Sequence, residues 1–183
     1  MTQCIALLRG INVGRAKRIA MADLRGLMEE LGFSDVRTVL NSGNVLFQSA
    51  RANVSKVGVE IERAIARRFG FPVPVVVLSA EALSAIVEES ALPRADDDPS
   101  RYLVAFVASA ATLAKARPML AEQWSPEALG IGSRAAYLWC PNGVIESKLM
   151  QAFGRLIGDA ATTRNWATVL RLQAAVGPRA NAS

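Results

Sequence analysis

A chain of 183 residues, 51% of them hydrophobic, is long enough to bury a sizeable core as one domain or as two small halves sharing one. It has no histidine, which removes the commonest metal ligand and general base together with Ser-His-Asp and Cys-His nucleophile systems, and its two cysteines, Cys4 and Cys140, are too few for a structural zinc site. The formal net charge of +5 favours anionic partners, but the excess is spread thinly, eleven Lys and Arg against nine Asp and Glu in residues 1–90 and ten against seven afterwards, as solubility alone would place it. Mean hydropathy is +0.24, yet no apolar run approaches the roughly 20 residues of a membrane-spanning helix. The first residues also lack the basic segment and long apolar stretch of a signal peptide, so a cytoplasmic location is expected, with no membrane partner and with both thiols free and buried. No cofactor is implied, and any catalysis would have to use carboxylates, Lys, Tyr, a thiolate or electrostatics.

Cys4-Ile5-Ala6-Leu7-Leu8 is a continuous apolar run of buried-strand length. It ends in Arg9-Gly10-Ile11-Asn12-Val13-Gly14, a basic loop whose backbone N–H groups and cations suit an anion, although Gly10 and Gly14 also serve a turn by supplying positive φ. Met21, Leu24, Leu27, Met28 and Leu31 recur at helical spacing up to Gly32. Residues 35–40 read as a strand, the tetrad 41–44 as a turn and residues 45–48 as its hairpin partner. Val54, Val57, Ile61, Ala64, Ile65 and Phe69 mark a second helix ended by Gly70, and residues 73–78 a strand. The order strand, helix, strand, strand, helix, strand is the split-βαβ or ferredoxin-like arrangement. Ser79 then caps a short helix carrying Leu83, Ile86 and Val87.

The proline-bounded acidic stretch 93–100 reads as a surface loop and the boundary between an N-terminal half, 1–92, and a C-terminal half, 101–178, with 179–183 as a frayed tail. The second half repeats the order without repeating the sequence. Residues 102–107 form a strand, 110–117 a short helix ended by Pro118, and 119–126 an irregular stretch. Residues 128–131 and 134–140 pair as a hairpin; Ile145, Leu149, Phe153, Leu156 and Ile157 mark a helix stopped by Gly158. Residues 160–163 can make a last strand, and a helix from Arg164 carries Trp166, Val169, Leu170 and Leu172. The fold expected is α+β, with two ferredoxin-like halves whose sheets are antiparallel or mixed and carry helices on one face.

Residues 6–14, with Met21, Leu24-Arg25, Val36-Arg37-Thr38, Ser42-Gly43-Asn44-Val45 and Phe47, resemble the signature of the bacterial family called domain of unknown function 1697. Ser147-Lys148-Leu149 and Arg164-Asn165-Trp166 with Thr168-Val169 resemble its second signature, so the likeness reaches both ends of the chain. It implies a cytoplasmic α+β protein of two ferredoxin-like halves, and no established activity. The sequence departs from the family pattern at Arg15-Ala16-Lys17, at Val39-Leu40-Asn41 and at Ala167, where an amide donor common in the family is missing.

Four polar clusters fall at element ends: Arg9 with Asn12, Ser42 with Asn44, Ser147 with Lys148, and Arg164 with Asn165 and Thr168. Converging between two halves, they would line a pocket for an anionic or nucleotide-like small molecule, with Arg9, Lys148 and Arg164 as charge partners, Asn12 and Asn44 as amide readers, and Gly10, Gly14, Ser42 and Asn165 completing the set. Each also has a local explanation: Asn12 pinning its own loop, Ser42 and Asn44 making a hairpin turn, Asn165 starting a helix. An Arg164 guanidinium docked in an interdomain hydrogen-bond network would leave the same pattern. A protein-interaction module without catalysis is the alternative; nucleic-acid binding is weaker, because aromatic residues make up only 6% and residues 44–48 offer a single stacking ring. The oligomeric state is left open.

Overall fold

The computed structural model of the chain describes residues 1–40, 43–51 and 53–177; Ser42 and the tail expected to fray at 179–183 lie outside them. The N-terminal half runs β1 (Thr2–Leu8), α1 (Met21–Glu30), β2 (Ser34–Thr38), β3 (Asn44–Ser49), α2 (Val54–Phe69), β4 (Val75–Ser79) and α3 (Ala80–Glu89). The C-terminal half runs β5 (Tyr102–Val107), α4 (Ala110–Ala116), β6 (Ala128–Ile131), β7 (Ala135–Trp139), α5 (Lys148–Ile157), β8 (Ala161–Asn165) and α6 (Trp166–Val176). Two four-stranded sheets result, ordered β2-β3-β1-β4 and β6-β7-β5-β8, with every neighbouring pair antiparallel. Each is a split-βαβ unit with one extra helix at its end, the α+β architecture expected.

The unbroken apolar runs have a simple cause: the central strands are covered on both faces. Along β1, Cys4, Ala6 and Leu8 face a core beneath α1 and α2, whereas Ile5 and Leu7 face the other half. In β5, Leu103 and Ala105 pack under α4 and α5, whereas Tyr102, Val104 and Phe106 turn inward. That inner core also takes Leu83 and Ile86 from α3 and Trp166, Val169, Leu172 and Val176 from α6, so the two halves share it. Its large side chains are almost fully buried; Trp166 meets the ring of Tyr102 edge-on at 5.2 Å. Each such side chain contributes about 1.5–3 kcal/mol relative to an exposed one. Cys4 and Cys140 sit in different outer cores and are free.

Polar ties between the halves run from α3. The Tyr137 hydroxyl donates to the Ile86 carbonyl at 2.6 Å, and the Glu89 carboxylate accepts from the Ser133 N–H at 2.8 Å. The element boundaries differ from the sequence expectation in three informative places. Arg164 and Asn165 end β8 rather than begin a helix, because they pair with Val104 and Leu103 of β5, a partnership with no local signal. Ile145 lies on an exposed loop, since the Ser147 side chain caps α5 and fixes its start at Lys148. The stretch after α4 is a 3-10 helix over Arg117–Ala121 that buries Met119.

Candidate functional site

The loop after β1 is built by its own side chains. Asn12, at φ +56, accepts from the Ile19 N–H and donates to the Ile19 carbonyl, both at 3.0 Å, while its own N–H donates to the Lys17 carbonyl at 3.1 Å. Buried Ile11 and Ile19 anchor the two arms. The loop base is thereby fixed, and its tip, including Gly14, is exposed, with Val13 74% accessible. Gly10 and Gly14 both hold positive φ, at +69 and +66.

Arg164 crosses from β8 into the N-terminal half. Its Nε donates to Asn44 Oδ1 at 2.6 Å, Nη1 to Thr162 Oγ1 at 2.9 Å and the Thr163 carbonyl at 2.8 Å, and Nη2 to the carbonyls of Leu8 at 2.8 Å and Gly43 at 3.4 Å. A guanidinium has five N–H donors, and all five are used here. Burial pushes its pKa down to about 10, which still leaves the cation intact at neutral pH. Asn44 is fully buried, and its amide also donates to the Val39 carbonyl at 2.9 Å. Both residues therefore serve the junction between the halves.

Arg9 reaches the other way. Its Nη1 donates to the Ala161 carbonyl and its Nε lies 3.1 Å from Asp159 Oδ1, with the Arg9 side chain 37% exposed and that of Asp159 81% exposed. Asn165 and Ser147 are N-caps: Asn165 Oδ1 accepts from Thr168 N–H at 2.9 Å and Ser147 Oγ from Met150 N–H at 2.9 Å. Lys148 is exposed at the first residue of α5.

Four of the expected residues come together. Arg9, Gly10, Arg164 and Asn165 line a cleft of about 460 Å³ between the halves, with Thr168 at the α6 N-terminus and Met150 and Phe153 from α5 on the opposite wall. Asn12, Gly14, Asn44 and Lys148 stand outside its lining, and Ser42 lies outside the described residues. The backbone is open toward the cleft: a Cβ placed at Gly10, Gly154 or Gly158 would meet nothing within 4 Å. Gly154 is notable because it sits inside α5, where glycine costs about 0.5–1 kcal/mol relative to alanine. Sequence reading missed Asp159, Thr162 and the apolar wall. Thr162 was findable as a hydroxyl two residues before Arg164 on the same strand face; Asp159, after the glycine that stops α5, carried no signal. Among the described residues, no group of three or more acidic or cysteine side chains is placed to hold a metal ion, and no helix is long and apolar enough to cross a membrane.

Among solved structures, the chain is similar to conserved bacterial protein SP0830 from Streptococcus pneumoniae, with a TM-score of 0.74 and 22% sequence identity over 94% of this chain and 97% of that one. At that identity the likeness speaks for the fold. No curated protein matches the chain. A family model described as protein of unknown function (DUF1697) matches residues 1–137, covering the whole N-terminal half, the acidic segment and the second sheet as far as β7. The chain thus belongs to the DUF1697 family.

Proposed function

We propose that the protein binds a small anionic organic molecule, nucleotide-like in combining an acidic group with an apolar body, in the cleft between its halves. The observation that carries this reading is the state of Arg9. One of its nitrogens is tethered to the Ala161 carbonyl, and its partly exposed side chain lines a cleft formed by both halves. Met150 and Val13, backed by buried Phe153 and Ile11, offer the apolar surface that such a ligand needs, and Gly10 and Gly154 allow close approach to backbone. Arg164, its donors committed, contributes positive potential from within the lining, while Arg9 is the direct partner. The small-molecule reading is supported over RNA recognition by the burial of the inner sheet faces in the shared core, since an RNA platform needs an open sheet face with aromatic side chains.

A thermal-shift screen of nucleoside monophosphates, phosphosugars and acyl-CoA compounds tests the proposal. A stabilising ligand whose effect disappears in Arg9→Ala and persists in Arg63→Ala, a substitution at an exposed α2 residue outside the cleft lining, is the expected result. Stabilisation that survives Arg9→Ala overturns the assignment of the site.

A further inference from the structure

We propose that Asp159 holds the ligand-binding edge of Arg9 as an internal substitute for the acidic group of the ligand, so that a carboxylate or phosphate enters the cleft by exchanging with it. The inference rests on the reading of the cleft given above and adds the class of group recognised and the residue that competes for it.

The geometry of Arg9 supplies the argument. With Nη1 committed to the Ala161 carbonyl, the guanidinium plane is held across the junction between the halves. The remaining Nε and Nη2 form the side-on edge of the guanidinium, where two nearly parallel N–H vectors match two oxygens of one carboxylate or phosphate. Asp159 Oδ1 forms an ion pair beside that edge, 3.1 Å from Nε. A group of the chemistry the edge selects therefore already stands beside it.

Asp159 is also placed to leave. It belongs to the three-residue 3-10 turn Gly158–Ala160, between two residues that line the cleft, Gly158 and Ala161, while lying outside the lining itself. Its side chain is 81% exposed, so water solvates the carboxylate as soon as it swings away. Exposed ion pairs of this kind hold weakly, and losing one costs little beside what a ligand gains by adding apolar contacts on the α5 wall. The resident carboxylate keeps Arg9 oriented when the cleft is vacant and raises a few-fold the concentration at which a free anion takes its place. Neither Lys17, which is turned to the Pro72 carbonyl, nor Lys148 belongs to the lining.

The test is an NMR titration of the Arg9 Nε–Hε resonance, assigned by its loss in Arg9→Lys, in the full chain and in Asp159→Asn and Asp159→Ala. Inorganic phosphate and acetate are the two probes, and their relative effects tell a phosphate site from a carboxylate site. The expected result is a saturable shift of the Arg9 signal at about two- to five-fold lower probe concentration in both Asp159 variants than in the parent chain. Equal midpoints in parent and variants overturn the role of Asp159 and leave the cleft reading standing. No response of Arg9 to either probe in any of the proteins overturns both. Because Asp159 is exposed, the variants keep the fold, which the unchanged Nε–Hε signal of buried Arg164 verifies in the same spectra.

Discussion

Arg9 and Arg164 clasp the two halves reciprocally: Arg9 donates to the carbonyl of Ala161, three residues before Arg164, and Arg164 donates to the carbonyl of Leu8, the residue before Arg9. Each arginine thus binds the chain segment that carries the other. Two carbonyls of β8, an edge strand of its sheet, are capped in this way, Ala161 by Arg9 and Thr163 by Arg164. Capping an edge with charged side chains also blocks its pairing with a further strand.

The two arms of the clasp differ in burial, and their removal should differ accordingly. Arg164→Met leaves Asn44 Oδ1 and the carbonyls of Leu8 and Gly43 facing an apolar side chain in a site without ready access to water. The expected loss is about 3–5 kcal/mol. Arg9→Met removes one carbonyl bond and one exposed ion pair, for about 1 kcal/mol. Urea unfolding of the two variants measures the contrast; equal losses would show that the Arg164 network is not buried in solution.

Much of the fold was legible because hydrophobic period is local. Leu24, Leu27 and Met28 mark α1 through spacing alone, and the double-faced burial of β1 and β5 shows as runs without alternation. The end of β8 was not legible, since only pairing with Leu103 and Val104 holds Arg164 and Asn165 in a strand. For the candidate site, the convergence of Arg9 with Arg164 could be anticipated from polar residues at element ends. Their partners could not, because the acceptors are mainly backbone carbonyls, which have no residue identity to read. Asn12 and Asn165 make hydrogen bonds within their own loop and helix, a role that the sequence presents in the same form as a ligand contact.

Two glycines separate backbone conformation from packing. Gly10 and Gly43 both hold left-handed φ, at +69 and +76, so alanine at either carries a strain of about 1–2 kcal/mol. At Gly10 nothing else opposes the new methyl group. At Gly43 it would stand 2.9 Å from Leu8 Cβ and 3.0 Å from the Ile11 side chain, beside a carbonyl that accepts from the Leu8 N–H. Gly43→Ala is expected to cost about 2 kcal/mol more than Gly10→Ala, because the crowded methyl group adds an overpacking penalty. Thermal and urea unfolding check the difference, and a cost at Gly10 equal to that at Gly43 would refute the packing argument.

The thiols give a pH-dependent prediction with a definite sign. Burial raises the pKa of Cys4 and of Cys140 above the ordinary 9.0, and it raises those of Tyr102 and Tyr137 above 10.0. An acid whose native pKa is raised keeps its proton in the folded state while the unfolded chain loses it. Its stability contribution is therefore whole below the unfolded value and falls as pH rises beyond it. Between about pH 9 and 10 the two thiols dominate, because the tyrosines are at most half ionised in the unfolded chain there, while Arg164, with its pKa lowered to about 10, works in the opposite direction. Each thiol should steepen the decline by about 1.4 kcal/mol per pH unit once the unfolded chain is fully ionised. Urea unfolding across this interval should show the decline, and Cys4→Ala, whatever it costs at neutral pH, should reduce the slope. A thiol-specific reagent should label neither cysteine in the native protein at neutral pH and both in urea. Rapid native labelling, or stability that does not fall above pH 9, would mean that these thiols reach water without unfolding.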